Sequence, residues 1–188
     1  MNRELLTREK IKDALAFYID SGIIKNFNSE LLKAAEEKAI RSNFIDIDIS
    51  YLIEEFDNSV FYYRMEEYGI AFMEGESIYS YAIEQLVSDI AKFTNYRFNP
   101  ESFTIKYDRE SDGNLSFVQK GVVYQQALYT ERGYMHNLLN LLNEAIVHHS
   151  GNSLLLYVFH LSDAETQAFV LLSEENQQKA SKNELLPF

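Results

Sequence analysis

The chain has 188 residues, no cysteine, 17 basic and 29 acidic side chains, and a formal net charge of −12. Its length suits one domain that buries enough surface to fold without a disulfide or metal staple. The missing thiols exclude cysteine catalysis, cysteine-ligated zinc and iron–sulfur clusters, and the acidic balance argues against direct contact with nucleic acid or anionic lipid.

The N-terminus is charged throughout and shows no apolar run before a small-residue cleavage site. The longest unbroken apolar run, residues 154–159, is far below the roughly 18 residues of a membrane span. A soluble cytoplasmic protein with no membrane attachment is expected.

Residues 7–21 place Ile11, Leu15, Tyr18 and Ile19 on one helical face, with Gly22 where a C-terminal cap belongs. Asn28 or Ser29 caps a second predicted helix to about residue 41, with Leu31, Leu32, Ala35 and Ala39 inward. Ile45, Ile47 and Ile49 then alternate with Asp46 and Asp48, the period of an edge strand or extended linker. Ser50 starts a short helix through Phe56. Residues 59–73 suit either a strand pair turning near Gly69 or a helix. Residues 76–95 form a helix on the stripe Tyr79, Ile83, Leu86, Val87, Ile90 and Phe93.

From Asn99-Pro100 onward, alternating residues 103–108 predict a strand, Asp112-Gly113 a turn, and residues 115–119 a second strand. Lys120-Gly121 turns into a third, residues 122–129. Strands joined this tightly must be antiparallel. A helix over 134–149 buries Met135, Leu138, Leu139, Leu142, Ala145 and Ile146. Residues 154–161 are apolar on both faces and are expected inside the sheet under cover on each side. A fifth strand over 166–172 precedes a short helix capped by Ser173.

The order β-β-β-α-β-β-α in the C-terminal half predicts an α+β fold. In it, a mostly antiparallel sheet of about five strands carries packed helices and follows a helical N-terminal half. One domain over 1–188 is expected, mainly helical over 1–95 and sheet-bearing over 96–188.

No motif identifies a reaction. The chain lacks a G-x-S-x-G elbow, a phosphate-binding lysine loop and a G-x-G-x-x-G turn. Of the four histidines, His148 and His149 are neighbours on a helix, where side chains point about 100° apart. That spacing argues against a shared metal, so they read as surface residues at a helix end, and His136 and His160 offer at most one cross-element pair. Asp46 and Asp48 share one face if their segment is a strand, but two acids fall short of a hard-metal site. No metal and no cofactor are expected. The alternative to a non-enzymatic protein is a carboxylate- or metal-dependent hydrolase with a cleft between the helical half and the sheet.

Charge is unevenly placed. Residues 42–91 hold eleven acids against Arg64 alone, so this segment carries −10 of the net −12. At its centre stands FYYRMEEYGIAFMEGESIYSY, crowded with rings. Tyrosine supplies rigid contact area with a polar tip, and carboxylates around such rings complement a basic partner. The expected protein-binding set is Glu54, Glu55, Asp57, Glu66 and Glu67 as charge complements, with Tyr62 and Tyr68 as anchors. The bland alternative makes the rings core and the acids a solvated face.

The size, acidity, lack of cysteine and strand-rich C-terminal half resemble the small immunity proteins of bacterial toxin systems. The stretches concerned are FTIKYDRESDGNLSFVQKGVVYQQALY, a helix, and SLLLYVFHLSDAETQAFVLLS, roughly residues 95–180. The resemblance is one of layout and carries no residue's role with it. It implies a non-enzymatic bacterial protein that binds and blocks a cognate toxin or nuclease.

Overall fold

The computed structural model of the protein describes residues 7–41, 49–64, 79–107, 113–128, 134–150, 153–160 and 166–188. They form an α+β fold in the order α1 (Arg8–Asp20), β1 (Ile24–Lys25), α2 (Ser29–Arg41), a 3-10 helix (Ile49–Glu55), β2 (Asp57–Asn58), β3 (Val60–Arg64) and α3 (Tyr79–Phe93). The sheet-rich half follows as β4 (Ser102–Tyr107), β5 (Gly113–Gln119), β6 (Val122–Leu128), α4 (Tyr134–Ser150), β7 (Leu154–His160), β8 (Thr166–Ser173) and α5 (Glu174–Lys182). The chain divides into two compact units, Met1–Tyr63 with Tyr157–Phe188, and Arg64–Leu156.

In the first unit, helix ends are set by side chains. Thr7 Oγ1 accepts from the Lys10 amide at 3.1 Å, and Ser173 Oγ accepts from the Asn176 amide at 3.2 Å. Asn28 Oδ1 takes the amides of Glu30 and Leu31 at 3.0 and 2.9 Å. Each bond satisfies an orphan donor of a first helical turn, an interaction typically stabilising by about 1 kcal/mol. Ile11, Leu15, Phe17 and Tyr18 of α1 are buried with Ile49, Leu52 and Ile53 of the 3-10 helix and with Ala168, Val170 and Leu172 of β8. Tyr18 is fully buried, and its hydroxyl donates to the Leu185 carbonyl at 2.5 Å. On α2 only Ala35 and Ala39 are buried; Leu32 packs against the core from its edge, while Leu31, expected inward, is exposed.

The strands are distributed differently from the single five-stranded sheet that the pattern suggests. β4, β5 and β6 form an antiparallel meander, whereas β7 and β8 join β3 from the N-terminal half in the order β3-β8-β7. β1 and β2 pair antiparallel as a two-stranded ribbon. The central strand covered on both faces is β8, where Thr166 to Val170 are all buried. β7 lies at the end of its sheet, with Leu156 and Phe159 buried and Leu154, Leu155, Tyr157 and Val158 half-buried. Hydropathy favours the unbroken apolar run, yet Thr166 and Gln167 take the better covered place. Phe169 of β8 packs against Phe61 and Tyr63 of β3, with ring centroids 5.7 and 6.4 Å apart.

In the second unit, Phe117 lies edge-on to Phe98 at 5.1 Å and stacks on Tyr124 at 5.0 Å. Leu138, Leu142, Ala145 and Ile146 of α4 and Leu86 and Ile90 of α3 are fully buried. The side chain of Asn143 brackets the Leu156 backbone, donating to its carbonyl at 2.8 Å and accepting from its amide at 2.7 Å.

The β5–β6 hairpin turns on Lys120 and Gly121, with φ of 49° and 76°. Two successive left-handed residues match the strands' own twist, and glycine adopts that geometry without steric cost. A Cβ on Gly121 would touch nothing within 4 Å, so substitution acts on the backbone alone. Gly121→Ala is expected to lower stability by about 1–2 kcal/mol, read by chemical denaturation.

Candidate functional site

Of the seven residues in the expected binding set, Glu54, Glu55, Asp57 and Tyr62 fall in the described part. Glu66, Glu67 and Tyr68 lie outside the described residues, as do Asp46 and Asp48.

The carboxylates owe their placement to their neighbours. Ile49, Leu52 and Ile53 of the 3-10 helix are buried, as is Phe56 immediately after it. With those four side chains inward, Glu54, Glu55 and Asp57 are left exposed on the other side of the turn. Asn58 holds the turn together. Its Nδ2 donates to the carbonyls of Ile53 and Phe56 at 3.2 and 3.1 Å, and its Oδ1 accepts from the Val60 amide at 3.1 Å. One half-buried side chain thereby closes three backbone groups that the short helix leaves open.

The three acids differ in electrostatic company. Glu55 forms an ion pair with Lys38 of α2. Asp57 accepts from Asn26 Nδ2 at 2.6 Å and lies opposite Lys25 in the β1–β2 pairing. Glu54 makes no ion pair among the described residues. Lys25 and Lys38 thus offset part of the charge, which sequence reasoning missed. The lysines come from 17 to 32 positions upstream, and only the fold brings them near. Asn26 and Asn58 were missed as well, although Asp57-Asn58-Ser59 is a recognisable cluster of turn residues.

Tyr62 is half-buried and packs against the core. Burial pushes its hydroxyl up to about 12, helped by the nearby Glu54 carboxylate and opposed by a hydrogen bond with Asn58. Tyr63 points the other way along the strand, is 1% exposed, and is also raised to about 12 by burial. Tyr62 therefore joins the acids through its polar edge while its ring belongs to the packing.

Two other places hold clustered polar groups. A groove of about 620 Å³ between α1 and α5 is lined by charges of both signs, among them Asp13, Asp20, Lys179 and Lys182, and Lys10 already pairs with Glu184 at 3.2 Å. On the second unit, His148 and His149 both reach the Tyr124 hydroxyl, at 2.7 and 2.9 Å, a convergence that the helical spacing did not reveal. Among the described residues, no group of three or more histidine, aspartate or glutamate side chains is arranged to hold a metal ion. No described helix is long and apolar enough to cross a membrane.

Comparison of the chain with protein-family models, with curated proteins and with solved structures finds no match.

Asn58→Ala is expected to destabilise the protein by about 1–3 kcal/mol, because two partly buried carbonyls lose their donor. Denaturant titration measures the loss, and Asp57→Asn serves as the mild control. Tyr62 and Tyr63 make a second test. A phenol whose folded value is raised stabilises fully below its unfolded value near 10 and loses that contribution as pH rises through the folded value near 12. Absorbance at 295 nm should show a late ionisation step near pH 12 that shrinks in Tyr62→Phe.

Proposed function

We propose that this is a non-enzymatic acidic binding protein that occupies the basic surface of a partner, in the role of an immunity protein or inhibitor of a toxin or nuclease. The observation that carries the reading is the turn from Leu52 to Asn58. There, buried Leu52, Ile53 and Phe56 alternate with outward Glu54, Glu55 and Asp57, and Asn58 fixes the backbone between them.

Carboxylates held this way need little ordering on binding, which removes part of the cost of association. They belong to the sequence segment that carries −10 of the net −12, and an excess of negative charge steers a cationic partner. A nuclease presents basic groups to phosphates, and carboxylates are the protein groups that mimic phosphate charge. Glu66, Glu67 and Tyr68, outside the described residues, belong to the proposed contact set as further charge complements and an anchor. Lys25 and Lys38 tune it: a cationic partner that displaces Lys38 from Glu55 gains that carboxylate, so the pair acts as a removable cover.

The test starts with capture at low salt from the cells that make the protein, followed by kinetics on the purified partner. The association rate should fall steeply with ionic strength. Glu54→Lys combined with Glu66→Lys and Glu67→Lys should slow it by roughly tenfold or more, on the order expected for loss of steering, with an unchanged circular dichroism spectrum. Association rates indifferent both to salt and to these reversals overturn the reading.

A further inference from the structure

We propose that Tyr124, His148 and His149 form one proton-sharing latch that fastens the C-terminal end of α4 to β6 and opens when acid places a second proton on the histidine pair. The latch lies in the second unit and does not depend on the acidic turn.

The geometry is unusual for adjacent residues of a helix. The two imidazoles stack with centroids 4.7 Å apart and planes 19° apart, and both present a nitrogen to the same phenol: His148 Nδ1 at 2.7 Å and His149 Nε2 at 2.9 Å. Tyr124 is 3% exposed, with its ring stacked on Phe117, so its hydroxyl is held in place from below.

Proton counting couples the two hydrogen bonds. A phenol has one hydrogen, so it donates to one ring nitrogen and must accept from the other. The nitrogens facing Tyr124 are His148 Nδ1 and His149 Nε2, so the two neutral rings share one tautomer, both Nδ1–H or both Nε2–H.

A first proton on the donating ring enters at its outer nitrogen and disturbs nothing, because the nitrogen facing Tyr124 keeps donating. A second has to enter at the accepting nitrogen and displace the phenol hydrogen. Both rings then donate to one oxygen, the phenol hydrogen has no acceptor within the cluster, and two cations are stacked face to face. The surrounding charges act on the same step. Lys120 in the β5–β6 turn opposes the His149 cation, Glu101 ahead of β4 favours it, and Glu144 on α4 faces Tyr124. Burial, His148 and Lys120 together hold His149 below its ordinary value of 6.5, and burial with Glu144 raises Tyr124. A base with a depressed folded value contributes stability above its unfolded value and loses it as pH falls through the folded one. The latch is therefore closed above about pH 6.5 and loosens in acid.

Long-range proton–nitrogen NMR on the full chain, from pH 8 to pH 4.5, tests this. At pH 8 His148 and His149 should share one tautomer, and the pair should titrate in two separated steps. Amide exchange at the end of α4 should quicken across the second step. Tyr124→Phe, which keeps the ring stack, should bring the two titration steps closer together; His148→Gln should move the His149 midpoint upward. Opposite tautomers in the two rings at pH 8, or two histidines that titrate independently and identically in wild type and in both variants, overturn the proposal. If Tyr124→Phe fails to fold, His148→Gln alone decides by the same readout.

Discussion

The burial of Ile49, Leu52, Ile53 and Phe56 in the core of the first unit is the constraint from which the candidate surface follows. These four side chains are each less than a tenth exposed. Removing one from water is worth about 1.5–3 kcal/mol, far more than an exposed carboxylate gains or loses by changing direction. Packing therefore decides where Glu54, Glu55 and Asp57 point, and electrostatics only adjusts what they do once there. A turn fixed by hydrophobic burial and by three hydrogen bonds to Asn58 holds its charges without relying on their mutual interactions.

That division of labour explains why repulsive charges are tolerated together. Three carboxylates on one short turn repel, and the fold answers with Lys38 on Glu55 and with Lys25 and Asn26 beside Asp57. The Lys38–Glu55 pair is at the surface, where ion pairs contribute little to stability and give way readily to salt or to a competing cation. It reduces the repulsion in the free protein without sealing the surface. The second unit handles polar groups differently. Buried Gln119 bonds the Asn99 amide and the Arg97 carbonyl, and buried Tyr124 presents its hydroxyl to two histidines.

The sequence showed the local features and hid the long-range ones. Caps at Asn28 and Ser173, the Lys120-Gly121 turn and the meander of β4, β5 and β6 were legible because each depends on a few adjacent residues. The pairing of β3 with β8 was not, since period-two alternation says nothing about which strand is the neighbour. Nor was the central position of β8, whose Thr166 and Gln167 hide buried positions behind polar letters. At the candidate site, the excess of acids over residues 42–91 marked Glu54, Glu55 and Asp57 as charge complements. It could not place Lys25 and Lys38 beside them, nor show that the Tyr62 ring rests on the core. Helical geometry spoke only against a shared metal at His148 and His149 and did not show that both rings reach Tyr124, because it fixes where side chains leave the backbone and leaves open where two flexible rings meet.

Carboxyl footprinting of the protein, alone and bound to its partner, measures most directly whether core packing turns these acids into a binding surface. Carbodiimide-coupled labelling read by mass spectrometry should modify Glu54, Glu55 and Asp57 readily in the free protein and spare them in the complex, while Glu144 and Glu175 label equally in both. If Glu54, Glu55 and Asp57 resist labelling in the free protein, or label to the same extent in the complex, the account is contradicted.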